Sequence, residues 1–198
     1  MKTLPNLGNP NIPQHKSVVE VPAVILTNPK YPHNMAGVIR ACSCWGIPTL
    51  LWTGDRVVPE QMDRLPREER MKGYKDVHWQ QTDRPFDLLP PGTIPVCIEL
   101  VENSVPLTTF EHPKNAAYIF GPEDGSVRQV VRRFCHHFVH IPTHHCLNLS
   151  QAVNMVLGHR RMINQLMGEE EIVPLDAMLH EQRGRAELEI DVPGWDGK

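Results

Sequence analysis

The sequence predicts an α/β domain with a mainly parallel sheet flanked by helices. Three observations predict it. Short, largely apolar segments recur at residues 21–26, 49–52, 94–100 and 116–120, with the more polar 77–81 as a further strand, and the apolar ones suit strands buried on both faces. Helical patterns alternate with several of them, and that alternation is the mark of a parallel sheet. Two strands also run straight into Gly-rich or polar loops that open a helix, the place where open α/β sheets bind ligands.

Composition narrows the function classes. The 198 residues, 40% hydrophobic and 22% charged, suit one globular domain with appendages. No apolar run approaches the ~20 residues of a membrane span, and no signal-peptide core opens the chain. Five cysteines without a disulfide-like framework point to a reduced cytoplasm. A net charge of −3 means that any nucleic-acid partner must meet a local basic patch.

In chain order, residues 1–20 read as a polar arm, 21–167 as the domain and 168–198 as an acidic, then Pro/Gly-containing appendage. The strand at 21–26 ends in a turn-rich loop. A helix with Asn34 as its natural N-cap then runs through Val38, Ile39 and Cys42 to a stop at Gly46. Residues 59–72 read as a charged helical segment, interrupted at Pro66, that carries Arg64, Arg67, Arg70 and Lys72, with Lys75 just beyond. Residues 126–138 predict an amphipathic helix with Val127, Val130, Val131, Phe134 and Phe138 inward and Arg128, Arg132 and Arg133 elsewhere. The segment 149–167 predicts a closing helix with Ala152, Met155, Val156, His159, Ile163 and Leu166 on its core stripe. Val153 and Leu157 are left over for another surface.

The chemistry concentrates in 116–157. Gly121 and Gly125 flank the lone carboxylate of Glu123, and the second loop offers Asn148 and Ser150. Caps for the following helices would explain one such loop; two within thirty residues argue for a shared ligand site. Arg40 follows another strand-end loop and brings a rigid fork of donors suited to phosphate or carboxylate. Metal is not expected. Cys42 and Cys44 project roughly 200° apart on a helix, and the histidines between His136 and His145 spread over a helix end, a strand and a loop, where structural zinc uses closely paired ligands. Cys146 beside His145 is only weakly suggestive of a nucleophile and base, since sequence adjacency does not supply the geometry. Neither G-x-G-x-x-G nor a P-loop is present, which disfavours a dinucleotide or ATP enzyme.

Three segments resemble, in order, the signature motifs of the SpoU (TrmH) branch of the SPOUT class of RNA methyltransferases. They are Asn-Pro-Lys-Tyr-Pro-His-Asn-Met-Ala-Gly-Val-Ile-Arg at 28–40, Phe-Gly-Pro-Glu-Asp-Gly-Ser at 120–126 and Ile-Pro-Thr-His-His-Cys-Leu-Asn-Leu-Ser-Gln-Ala at 141–152. The resemblance covers about 21–167. It departs in the order of Ala36 and Gly37, in the spacing of Gly125, and in Cys146, where a serine is common. It implies a SPOUT fold with a C-terminal deep trefoil knot, a homodimer, and methyl transfer from S-adenosylmethionine to a ribose 2′-oxygen of RNA. Arg40, Asn34 and Glu123 would stand near the chemistry. Leu100, Gly121, Glu123, Ile141, Cys146, Leu147, Asn148 and Ser150 would hold the cofactor. RNA contact is expected from Arg40, Arg67, Arg70, Arg128 and Arg132, and a compact transfer RNA suits the compact domain better than ribosomal RNA. A non-catalytic knotted RNA-binding protein is the alternative.

Overall fold

A computed structural model describes residues 19–62, 64, 75–175, 177 and 178. The chain divides into two compact units, Met1–Arg161 and Met162–Lys198. The strands of the first are β1 Ala23–Thr27, β2 Thr49–Thr53, β3 His78–Gln81, β4 Ile94–Ile98, β5 Val105–Pro106, β6 Ala116–Phe120 and β7 His137–His140. Its helices are α1 Pro32–Cys44, α2 Pro59–Met62, α3 Gln129–Arg132 and α4 Leu149–Leu166, the last of which runs on into the second unit. The strands form one seven-stranded sheet in the order β3-β2-β1-β6-β4-β7-β5. Every strand pair in it is parallel.

The predicted apolar runs become the sheet because each strand must bury both faces. β1 and β6 are buried along their whole length. Successive side chains point to opposite faces, so Val24, Leu26, Leu50 and Tyr118 pack under α1 and α4, while Ile25, Leu51, Cys97 and Ile119 face the other way with Val127. β5 has no signal in the sequence. It has two residues, one of them a proline, which an edge strand tolerates.

α1 stops where expected. Gly46 sits at φ 68°, its N–H bonding Ser43 O at 3.4 Å while Ile47 N–H reaches Cys42 O at 2.8 Å. This paired closure needs a residue that tolerates positive φ. The start of α1 corrects the sequence reading. Tyr31 is the N-cap and Pro32 the first helical residue, because proline's fixed φ suits that position. Asn34 therefore lies inside the first turn and is free to bond elsewhere.

Two further helix expectations need correction. Instead of a helix over 126–138, only the single turn of α3 forms. Arg128 is extended at φ −60°, ψ 145°, and Val127 N–H bonds Glu99 Oε2 at 2.9 Å. The chain must also be extended again by His137 to pair with β4. Val127 is buried as predicted, but Val130 and Phe134 are 59% and 55% exposed. On α4, the buried residues are Leu149, Val153, Val156, Leu157, Arg160 and Asn164, while Met155 and Leu166 are exposed. Ser150 and Gly158 account for the rotation. A Cβ on Gly37 would lie 2.8 Å from Ser150 Cβ, and one on Gly158 would lie 3.0 Å from the Trp45 ring. Small residues thus let α4 lie close against α1. Trp45 Nε1–H donating to Asn154 Oδ1 at 2.7 Å completes the seam.

A polar chain lies within the α4 side of the core. The Tyr118 hydroxyl lies 2.7 Å from His112 Nδ1, and His112 Nε2 lies 2.9 Å from His159 Nδ1. Burial, with His159 and Arg160 nearby, pushes His112 down to about 3; burial also lowers His159. A histidine with a depressed folded-state pKa is protonated more readily in the unfolded chain. Its contribution to stability is complete above the unfolded value of 6.5 and is lost as pH falls toward 3. Urea midpoints should therefore decline from about pH 7 to about pH 4.5, with a shallower decline in His112→Gln.

Candidate active site at the strand ends

In the sheet β1, β6, β4 and β7 are neighbours, so the loops leaving their carboxyl ends form one continuous edge. Those loops carry the three motifs. Glu123, just past β6, accepts from Lys30 N–H at 2.8 Å, Tyr31 N–H at 3.4 Å and Asn34 Nδ2 at 2.7 Å. Asn34 Oδ1 in turn accepts from Asn148 Nδ2 at 2.9 Å. Asn148 Oδ1 accepts from Ser150 N–H at 2.9 Å and from the Ser150 hydroxyl at 2.7 Å. Asn148 thus caps α4 with its oxygen and ties α1 with its amide. One hydrogen-bonded relay joins all three segments, and Asn34, 3% exposed, is its buried centre.

Residues without a sequence signal lock the outer side. The Arg56 guanidinium donates to Asn28 O and bonds both carboxylate oxygens of Asp124 at 2.9 Å. Lys30 Nζ lies 3.2 Å from the same carboxylate. Arg56 and then Lys30 hold the Asp124 carboxyl below the usual carboxylate range, and Asp124 chiefly raises the lysine. Asp124 is conspicuous in the sequence only as the neighbour of Glu123; Arg56, in a turn after β2, has no signal there.

The other sequence candidates distribute as follows. Leu100 after β4 is 78% exposed, Gly121 and Ile141 are half-buried, and Cys146 is exposed beside half-buried Leu147. Arg40 is exposed near the far end of α1. Arg128 is exposed, and Arg132 is half-buried with its Nε unpartnered. Arg67 and Arg70 lie outside the described residues. Cys146 and His145 are both exposed, and no hydrogen bond joins them among the described residues. A Cβ on Gly121 would stand 3.2 Å from Val127 N, so the glycine permits the loop to fold back on itself.

A seven-stranded parallel sheet flanked by helices, with ligand-type loops at adjacent strand ends, is an architecture this chain shares with solved SpoU methyltransferases. The sequence profile of the SpoU rRNA Methylase family matches residues 22–158, and the chain belongs to that family. Its fold is similar to an AdoMet-bound rRNA methyltransferase from Sinorhizobium meliloti, with TM-score 0.61 and 19% identity over 71% of this chain and 56% of that one. The A. aeolicus TrmH/SpoU tRNA modifying enzyme gives TM-score 0.61 and 19% identity over 80% and 84%. A structure described for 2-OH methylation of C/U34 on tRNA gives 0.60 and 20% over 74% and 96%. The chain spans little more than half of the Sinorhizobium enzyme. No curated protein matches it.

Proposed function

We propose that the chain transfers the methyl group of S-adenosylmethionine to a ribose 2′-oxygen of RNA, with a transfer RNA favoured, in the cytoplasm. The observation that carries this reading is the Glu123–Asn34–Asn148 relay, which joins the three motif segments at one sheet edge. The family and a similar structure concerned with tRNA 2-OH methylation support it.

The residues present fit the cofactor. Leu100, Gly121 and Ile141 follow three adjacent strands, and with Leu147 they offer apolar surface and backbone groups rather than charge. Ser150 and Cys146 stand on the third loop. When bound, the cofactor supplies an electrophilic methyl on a sulfonium. The protein then has to orient the ribose and accommodate the charge that develops on its oxygen. Glu123 already accepts three hydrogen bonds, so it serves as the clamp of the loops rather than as the base. A guanidinium is a fork of N–H donors with no acceptor, so Arg40 does not serve as the base. Its part is to orient the ribose or an adjacent phosphate and stabilise the developing alkoxide.

The family also supports a knotted C-terminal part and a homodimer. Val153 and Leu157, which the sequence pattern leaves for another surface, are buried within the chain. Exposed Met155 and Met162 on α4 are the better candidates. Light scattering at micromolar concentration should report about twice 22.6 kDa, and an active monomer would overturn the dimer. Calorimetry in the presence of a chelator should show S-adenosylmethionine binding; absence of binding would overturn the site.

A further inference from the structure

The side of the sheet covered by α3 carries a second feature. An open pocket of about 370 Å³ is lined by Val101, Glu102, Gln129, Arg132, Arg133 and Phe138. Its parts come from the segment after β4, from α3 and from β7. None of them belongs to the Asn34–Glu123–Asn148 relay. The wall chemistry is specific. Val101 and Phe138 are apolar. Gln129 can donate and accept, Glu102 only accepts, and each arginine brings a fork of N–H donors.

Neither Arg132 nor Arg133 has an ion pair among the described residues, although Glu102 shares the pocket. Arg132 Nε is buried without a partner, and a buried donor left unmade is costly. Arg128 lies one turn before Arg132, exposed, so three arginines fall between residues 128 and 133. Beside them the Phe134 ring, 55% exposed, stacks on Phe86 at 4.9 Å between centroids. Arginines without ion pairs, interleaved with exposed aromatic surface, are the ingredients of single-stranded nucleic-acid recognition.

We propose that this pocket seats one nucleotide of the RNA substrate other than the methylated one. Arg132 and Arg133 take its phosphate, Phe138 and Val101 give the base an apolar wall, and Gln129 and Glu102 meet its hydrogen-bonding edge. Glu102, as an acceptor, favours bases with an amino group, such as cytosine. The inference rests on the RNA reading above and deepens it. The pocket begins one residue beyond Leu100, so a nucleotide there continues the path of a strand whose target ribose lies at the sheet edge.

The test uses the full chain, bulk transfer RNA and S-adenosylmethionine. R132Q/R133Q should weaken RNA binding tenfold or more. It should also flatten the dependence of log affinity on log salt by about 0.7 to 0.9 for each phosphate that is no longer neutralised. Cofactor affinity should stay within twofold. Glu102→Gln should leave the salt slope alone and change the preference among short oligonucleotides differing in one base. Unchanged RNA affinity and salt slope in R132Q/R133Q, with wild type active on RNA, would overturn the pocket alone. An equal loss of cofactor affinity in that variant would assign the pocket to the cofactor and overturn the nucleotide. A wild-type chain that binds no RNA would overturn the reading beneath it, and the pocket with it.

Discussion

Glu123→Ala is expected to lose at least two orders of magnitude in methyl transfer and about 2 kcal/mol of stability. Its carboxylate accepts from two backbone N–H groups and from Asn34 Nδ2. The backbone donors lie toward solvent and can recruit water, so their loss costs little. Asn34 is buried, and an amide left unbonded there costs ~1–3 kcal/mol. Once Asn34 is released, its bond from Asn148 loosens too, and the first and third motifs lose their common register. Glu123→Gln separates the clamp from a base. It keeps one acceptor but turns an amide N–H₂ toward existing donors, so a clamp predicts that stability and rate fall together. A base predicts intact stability with the rate alone abolished. Urea unfolding beside single-turnover rates distinguishes the two.

Arg40 should show the opposite pattern. It lies exposed near the far end of α1, six residues beyond Asn34. Arg40→Ala should leave unfolding free energy within about 0.5 kcal/mol, as surface changes commonly do. It should cost roughly 10² to 10³ in kcat, the scale of losing one preorganised donor to a developing oxyanion. S-adenosylmethionine affinity should be unchanged, because the proposed cofactor loops follow β4, β6 and β7. Arg40→Lys keeps charge without the planar fork. Recovery of much of the rate in Lys assigns charge as the main effect, and failure assigns orientation. A rate that climbs far into the alkaline range would indicate a true base. Wild-type turnover in Arg40→Ala would return this side chain to the solvated surface.

The parallel architecture is legible in the sequence because buried strands such as β1 and β6 have no polar alternation to obscure them. The site is legible as three segments but not as a circuit. Asn34 reads as a helix cap, and only the N1 preference of Pro32 moves it into the first turn, where its amide can bridge Glu123 and Asn148. The length of α3 is overstated by periodicity, because 3.6-residue spacing over 127–134 cannot report that Val127 N–H bonds Glu99 and that His137 must rejoin the sheet. The buried face of α4 differs from the apolar stripe by about one residue. Hydrophobicity favours Met155, whereas Ser150 and Gly158 set the seam by being small. Arg56 has no periodicity or motif around it. Its bonds to Asn28 and Asp124 exist only once β1, β2 and β6 are aligned.

Methyl transfer to a ribose 2′-oxygen can be read in the product itself. The most direct test is a single-turnover reaction of the full chain with methyl-labelled S-adenosylmethionine and bulk transfer RNA, followed by digestion to nucleosides and mass spectrometry. Label is expected in a 2′-O-methylnucleoside and is expected to be lost in Glu123→Ala and Arg40→Ala. Label in a base-methylated nucleoside would contradict the ribose assignment, and RNA binding with no transfer would make the chain an RNA-binding protein instead of an enzyme.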